Sequence, residues 1–162
     1  MNHNYTRRNI KTFINRYQQL IRVIESLSDH EAEKHIDMLN WEANTECGTV
    51  RCVAGWAGRD PWFRKAGFRL QTRVPVYRGT CWWRAIDEFF GQSSRNTTLV
   101  HPVFGADAYP TRSPSRQEII RAIVREINWL KSLTPVLAPK RKRRPLAGGS
   151  GAGGSGGSAS NG

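Results

Sequence analysis

The sequence predicts a mainly α fold: a compact single-domain helical fold with irregular loops and room for one short β-hairpin. Two long segments carry apolar residues at steps of three and four, the spacing of one helix face. Small polar residues stand where helix caps are expected, and six tryptophans supply apolar surface for a core. We expect one domain over residues 1–134, followed by a Pro/Lys/Arg-rich tail over 135–147 and a Gly/Ser-rich tail or linker over 148–162.

The first helix is predicted from about Thr6 to Leu27. Its apolar face consists of Ile10, Phe13, Ile14, Tyr17, Leu20, Ile21, Ile24 and Leu27. The opposite face is basic and amide-rich, with Arg8, Lys11, Asn15, Gln18 and Arg22. Because the apolar face is needed for the core, we expect the basic face to meet solvent. Ser28 and Glu31 have the spacing of a capping box, which predicts a short helix over Asp29 to Lys34.

The segment from Ile36 to Thr49 has no periodicity and is predicted to be an irregular connection. Thr49 is the expected N-cap of a third helix. That helix should end near Gly58 or Asp60, because Pro61 cannot continue it.

Apolar residues alternate with polar ones from Phe68 to Val76, which predicts one or two short strands. Pro75 favours an edge strand or an irregular loop there. A helical pattern then begins at Thr80 and ends at Gly91, and a short helical turn is predicted over residues 96–100.

The last helix has two candidate starts. Ser113 and Pro114 suit the N-cap and the first helical position, whereas Ser115 and Glu118 suit a capping box. Its predicted buried face consists of Ile119, Ile120, Ile123, Val124, Ile127 and Leu130.

The chain is strongly basic, with a formal net charge of +12. Five of its 25 basic residues lie in the tail, and the other 20 still outnumber the 13 acids. Such a balance favours an anionic polymer as partner, and arginine is the preferred ligand for phosphate. We expect the nucleic-acid contacts to be made by Arg8, Lys11, Arg22, Arg121, Arg125, Lys140, Arg141, Lys142, Arg143 and Arg144. Further cations that could converge with them are Arg7, Arg16, Arg64, Lys65, Arg69, Arg73, Arg78, Arg112 and Arg116. No nucleic-acid-binding fold signature accompanies these charges, so base-specific recognition is not predicted.

The three cysteines, Cys47, Cys52 and Cys81, are an odd number, and the polar N-terminal segment does not resemble a signal peptide. We therefore expect free thiols and an intracellular location, such as the cytoplasm of a bacterial host cell. No apolar run is long enough to span a bilayer, so no membrane association is expected.

A zinc site at Cys47 and Cys52, with His30 and His35, has the right ligand types. Four residues separate Cys47 from Cys52, which is within the usual range, but the second regular cysteine pair that normally completes such a site is missing. The simpler interpretation is two small buried cysteines beside solvent-facing histidines. We expect no metal and no cofactor.

Cys52 is also a candidate nucleophile. It is predicted to lie in the first turn of the helix capped by Thr49, where the helix dipole and Arg51 would lower the thiol pKa. His101 would serve as the base. The spacing departs from that of papain-type proteases, and the small residues around Cys52 are explained more simply by a close-packed helix.

A motif resembles a pattern found in small uncharacterised proteins of phages and bacteria. It reads D-M-x-x-W from Asp37 to Trp41, then C-G-T-x-x-C-x-A-G from Cys47 to Gly55. The resemblance extends over roughly residues 10–130. It implies a compact, mostly helical domain of phage or mobile-element type and carries no known activity.

Three functions are therefore open. The first is a small non-enzymatic accessory protein that binds nucleic acid or a nucleoprotein through its basic surface. The alternative is an inhibitor or adaptor that anchors on a host protein through Trp62, Trp82 or Trp83, because tryptophan and arginine dominate interface hot spots. The third is a cysteine-dependent hydrolase.

Overall fold

The fold is known from a computed structural model that describes residues 5–46, 48–91, 102–111 and 113–134. Several predictions fall outside these residues, namely those on Cys47, residues 96–100, His101, Arg112 and the tail from 135 to 162. The described helices are α1 (Arg7–Ser26), α2 (Asp29–Lys34), α3 (Val53–Arg59), α4 (Pro61–Lys65), α5 (Trp82–Phe90), a 3-10 turn (Ala106–Ala108) and α6 (Arg116–Leu133). The described strands are β1 (Ala43–Thr45), β2 (Gly48–Val50), β3 (Arg69–Gln71), β4 (Val74–Tyr77) and β5 (Thr80–Cys81).

The helix-rich character is confirmed, and several predicted helix ends agree with the structure, whereas the predicted N-cap at Thr49 does not. Thr6 caps α1, and the predicted capping box of Ser28 with Glu31 begins α2. For α6 the Ser115 capping box is confirmed, and the alternative start at Ser113 is wrong. Gly91 ends α5 in the left-handed conformation, at φ +75°.

Helices α1 and α6 pack against each other and run antiparallel. The Tyr5 ring contacts Trp129 near one end of the pair, and Arg116 donates to the carbonyl oxygen of Leu27 at the other. The predicted burial of Val124 is wrong, because α6 packs through one side and leaves this side chain 40% exposed.

Two small antiparallel sheets replace the single hairpin that the sequence predicts. The segment expected to be irregular contains the hairpin of β1 and β2, in which Asn44 pairs with Thr49. The Thr45 hydroxyl donates to the carbonyl oxygen of Gly48 across the turn, at 2.7 Å. Thr49 is therefore a strand residue, and Cys52 is the N-cap of α3.

The second sheet has the order β3-β4-β5, which places Pro75 in its central strand, contrary to the predicted edge or loop. The residues that flank a two-residue hairpin turn exchange backbone hydrogen bonds, and the next pair does not. Pro75 belongs to that next pair, opposite Leu70. On its other side β5 pairs only with Val76 and Tyr77, so no strand requires an amide donor from Pro75.

The core lies between the helices and the inner face of the three-stranded sheet. Its centre is an aromatic cluster of fully or nearly fully buried rings: Tyr17, Phe63, Phe68, Tyr77, Phe89, Phe90 and Phe104. Centroids of neighbouring rings lie 4.7 to 6.4 Å apart, with Phe90 against Phe104 at the short end and Phe63 against Phe68 at the long end. Burial of this area is the main stabilising contribution to the fold.

Candidate nucleic-acid interface

The basic face of α1 is exposed, as the sequence predicts. Arg8, Lys11, Asn15 and Arg22 all face solvent, and Arg7 adds a further exposed cation at the N-terminal end. The first turn of α1 contains no acidic residue. Cations near the N-terminal end of a helix are unfavourable for its dipole, so Arg7 and Arg8 do not stabilise α1. They remain available to an external anion.

The predicted cations of α6, Arg121 and Arg125, are exposed as well. Two other predicted cations, Arg16 and Arg116, have structural roles and are not part of the exposed basic surface. Arg16 lies 3.9 Å above the Phe89 ring and donates to the carbonyl oxygen of Phe89, and burial lowers its pKa. Arg116 joins α6 to the end of α1 through Leu27 and to Asp29.

A second basic surface lies on the segment from Pro61 to Ile86, which we call the basic segment. It contains six Lys and Arg residues and no Asp or Glu. It comprises α4, the three-stranded sheet and the first half of α5. Every one of its cations is exposed: Arg64, Lys65, Arg69, Arg73, Arg78 and Arg84.

Most of these cations have no acidic partner. Arg84 pairs with Glu88 at 3.1 Å, and Arg78 lies over the Tyr77 ring at 5.2 Å. The remaining four, Arg64, Lys65, Arg69 and Arg73, form no ion pair with any residue that the structure describes. Their charges are therefore uncompensated locally and produce a positive potential at the sheet.

Backbone strain is concentrated in the same segment. Among the described residues, the non-glycine positions with positive φ are Thr72, Arg73, Arg78 and Trp82, with φ between 48° and 64°. Such a conformation is rare for bulky or β-branched residues. Two-residue hairpins that need it normally use Asn and Gly, so the arginines occupy turn positions where they cost stability.

Exposed aromatic rings flank the sheet in the chain. Trp62 on α4 is 43% exposed, and Trp82 at the start of α5 is 55% exposed. The neighbouring Trp83 packs edge-on against Trp41, with ring centroids 4.6 Å apart. Large exposed rings beside unpaired cations are typical of surfaces that bind a partner.

The D-M-x-x-W and C-G-T-x-x-C-x-A-G motif has a structural role in this fold. The Asp37 carboxylate accepts from the Leu39 amide at 3.0 Å and from the Asn40 side chain at 2.7 Å, which fixes a turn. The carbonyl oxygen of Asn40 then accepts from the amide of Cys52. The turn and the start of α3 are thereby joined.

The predicted lowering of the Cys52 pKa is wrong. The side chain is 1% exposed, and burial raises the pKa of its thiol to about 12. The sulfur accepts from the Gly55 amide at 3.4 Å, so it caps the helix from the N-cap position. This geometry argues against Cys52 as a nucleophile, while its proposed base, His101, lies outside the described residues.

A charged cluster supports the motif from the other side. The Glu42 carboxylate accepts from Arg51 Nε at 2.8 Å and from Arg59 Nε at 2.7 Å. Hydrogen bonds from the two guanidinium groups lower the Glu42 pKa to about 2, and the bond from Arg59 has the larger effect. Arg51 also lies 5.0 Å from the Trp56 ring. Both arginines thus share one ionic partner, unlike the four cations of the basic segment that have none among the described residues.

The predicted zinc ligands are brought together only in part. The His30 and His35 rings lie 5.4 Å apart, and His35 Nδ1 lies 3.2 Å from the carbonyl oxygen of Thr49. Within the described ranges, no group of three or more His, Cys, Asp or Glu residues is arranged to hold a metal ion. Cys47 falls outside those ranges, so the pair Cys47 and Cys52 stays untested.

A groove of about 470 Å³ lies between α2 and the N-terminal end of α6. Its walls carry the acids Asp29, Glu33 and Glu118 together with Arg116. Arg116 bonds to Asp29, and Glu118 completes the capping box of α6. Its charged groups thus serve mainly to join and cap these elements, and its acids disfavour an anionic ligand.

No protein-family model, curated protein or solved structure matches this chain. None of the helices in the described ranges is long and apolar enough to cross a bilayer. The sequence predicts five cations of the basic segment as candidates. It does not predict that the exposed tryptophans next to them in the chain belong to the same surface. The signal that could have found the surface is the run of 26 residues without an acid, from Pro61 to Ile86.

Proposed function

We propose that this chain is a small non-enzymatic accessory protein of phage or mobile-element type that binds nucleic acid through its basic surface. The observation that carries the proposal is the acid-free basic segment, with four exposed cations that have no ionic partner among the described residues. Exposed cations without an ionic partner attract polyanions at long range, and arginine binds phosphate through two parallel hydrogen bonds.

The exposed stripe of α1 supports the same function. Arg8, Lys11 and Arg22 face solvent on the side opposite the core, and α1 carries a single acid, Glu25. Arg121 and Arg125 extend the exposed positive charge onto α6. Lys140 to Arg144 lie outside the described residues, and their contribution to nucleic-acid binding stays a prediction.

The test is a charge-removal series measured by fluorescence anisotropy with labelled nucleic acids of unrelated sequence. Replacing Arg8, Lys11 and Arg22 with Gln should weaken binding to all sequences alike and reduce the slope of log K against log salt by about two to three. A matched control replaces the exposed Lys34 and Lys131, which lie outside both surfaces. Equal effects per charge in the two variants would contradict a localised binding surface.

A protein partner is the alternative, and exposed apolar side chains favour it. Leu39 is 62% exposed, and Trp83 is exposed beside Trp41. Binding of this kind would depend on apolar burial and would change little with salt. Tight, salt-insensitive binding to a host protein, without binding to nucleic acid, would replace the first proposal with this one.

A further inference from the structure

We propose that the outer face of the three-stranded sheet binds single-stranded nucleic acid, with Trp82 stacking on an unpaired base and Arg69 and Arg73 binding phosphates. The inference rests on the proposed function and names the substrate class of the basic segment.

The register of the sheet separates a buried face from an open one. Leu70, Pro75 and Tyr77 lie on one face, where Pro75 and Tyr77 are buried against the core. Paired residues share a face, so Arg69, Val76 and Cys81 form a row across all three strands on the other face. Arg69 and Cys81 are exposed at the two ends of this row. The outer face therefore offers an open surface with a cation at one edge.

The two hairpin turns place an arginine at each end of β4. Arg73 lies in the turn between β3 and β4, and Arg78 in the turn between β4 and β5. The Arg78 guanidinium lies over the Tyr77 ring, which belongs to the inner face, so Arg73 is the turn cation that is available to the outer face. Arg73 has a left-handed backbone that is costly for arginine, which is explained if the charge is needed at this position.

Trp82 supplies the element that favours unpaired bases. Its side chain is 55% exposed and its φ is +59°, so it carries backbone strain without burying its ring. Stacking of a base on an aromatic side chain contributes about 1–3 kcal/mol. In a duplex the bases already stack on each other, and the ring gains this energy only from a single strand. Trp62, exposed on α4, offers a second ring.

The helices of the basic segment are poorly suited to reading a duplex groove. Helix α4 has only five residues. Helix α5 buries Ala85, Ile86, Phe89 and Phe90 against the core, so little of it remains to enter a groove. An exposed sheet face that carries cations, with exposed rings next to it in the chain, is typical of surfaces that bind single strands.

The test compares an oligo(dT) single strand with a duplex of the same length, using the full chain and anisotropy. We expect the single strand to bind at least tenfold more tightly. Trp82→Asn should weaken single-strand binding about five- to tenfold and leave duplex binding unchanged, because Asn tolerates the left-handed backbone and removes only the ring. Trp82→Phe should retain most of the affinity, and Leu39→Asn is the matched control for losing an exposed apolar side chain.

Alkylation of Cys81 tests where the bound single strand of nucleic acid lies, and it needs no substitution in the protein. Tryptic cleavage places Cys81 in the peptide 79–84 and Cys52 in the peptide 52–59, so mass spectrometry reads each thiol separately. Bound oligo(dT) should slow the reaction of exposed Cys81 several-fold. Equal affinity for duplex and single strand with no effect of Trp82→Asn, or binding without protection of Cys81, would overturn this inference while leaving the proposed function standing. No binding to any nucleic acid at low salt would overturn both.

Discussion

A Cβ atom added at Gly55 would lie 1.8 Å from the carbonyl oxygen of Trp41. Glycine is therefore required where α3 passes the turn that ends at Trp41. In this chain the two segments are therefore joined structurally: Asp37 to Trp41 forms the turn, and Gly55 packs directly against it. The motif thus contributes to the fold, and function has to be sought on the surface.

Gly55→Ala should destabilise the protein by about 3 kcal/mol or more, since neither backbone can move away without breaking the turn. Urea denaturation measures this change. Gly79→Ala is the control, because its added Cβ meets no atom within 4 Å and only its φ of +80° is unfavourable. The control should lose about 1 kcal/mol. Equal losses in the two variants would contradict the close approach of Gly55 to Trp41.

The Glu42 cluster predicts a specific dependence of stability on pH. Its folded pKa of about 2 lies below the ordinary value of 4.5. The charged carboxylate therefore stabilises the fold above about pH 4.5, and this contribution is lost as the pH falls toward 2. Glu42→Gln should cost about 2 kcal/mol at pH 7, and its difference from the wild type should shrink below pH 4.5. Urea denaturation between pH 7 and pH 3 checks this, with the exposed Glu33→Gln as control. A difference that stays constant over this range would contradict the paired Glu42.

The two described cysteines should differ sharply in reactivity. Cys81 is exposed and Cys52 is buried with a pKa raised to about 12. Iodoacetamide at pH 8 should modify Cys81 in the native protein and reach Cys52 only after unfolding, because the thiolate is the reacting form. Peptide mapping gives the two rates. Rapid native modification of Cys52 would restore it as a candidate nucleophile.

The turn between β3 and β4 should be easy to stabilise. Replacing Thr72 and Arg73 by Asn and Gly supplies the residues that this left-handed turn prefers, and should raise the free energy of unfolding by about 1–2 kcal/mol. The same change removes one cation and should lower nucleic-acid affinity. Thermal denaturation and anisotropy on the same sample measure both effects. Unchanged stability would mean that the turn carries no strain, and unchanged affinity would remove Arg73 from the binding surface.

Much of the fold could be predicted because its helix ends are set by local interactions. Capping at Ser28 and Ser115, the stop at Gly91 and the break at Pro61 all depend on neighbouring residues in the chain. The hairpin of β1 and β2 could not be predicted from the sequence. Its first strand, Ala43 to Thr45, shows no alternation of apolar and polar residues, and Thr45 is its one β-branched residue.

The surface was harder to predict than the helices, because exposure depends on tertiary packing. Arg16 and Arg22 look equivalent in the sequence, but only Arg16 meets the aromatic core. Trp82 follows a strand and begins a helix with a left-handed backbone, and no local pattern indicates that its ring stays exposed. The number of charged residues can be counted from the sequence, but the neighbours that neutralise each charge are set by the tertiary fold.

The salt dependence of nucleic-acid binding by the full chain tests the central claim most directly. If the basic segment and the α1 stripe bind phosphates, log K for a single strand should fall linearly with log salt, by about 0.7 for each contact. With at least four contacts the expected slope is about −3 or steeper. A slope near zero, or no binding to DNA or RNA at low salt, would contradict the account.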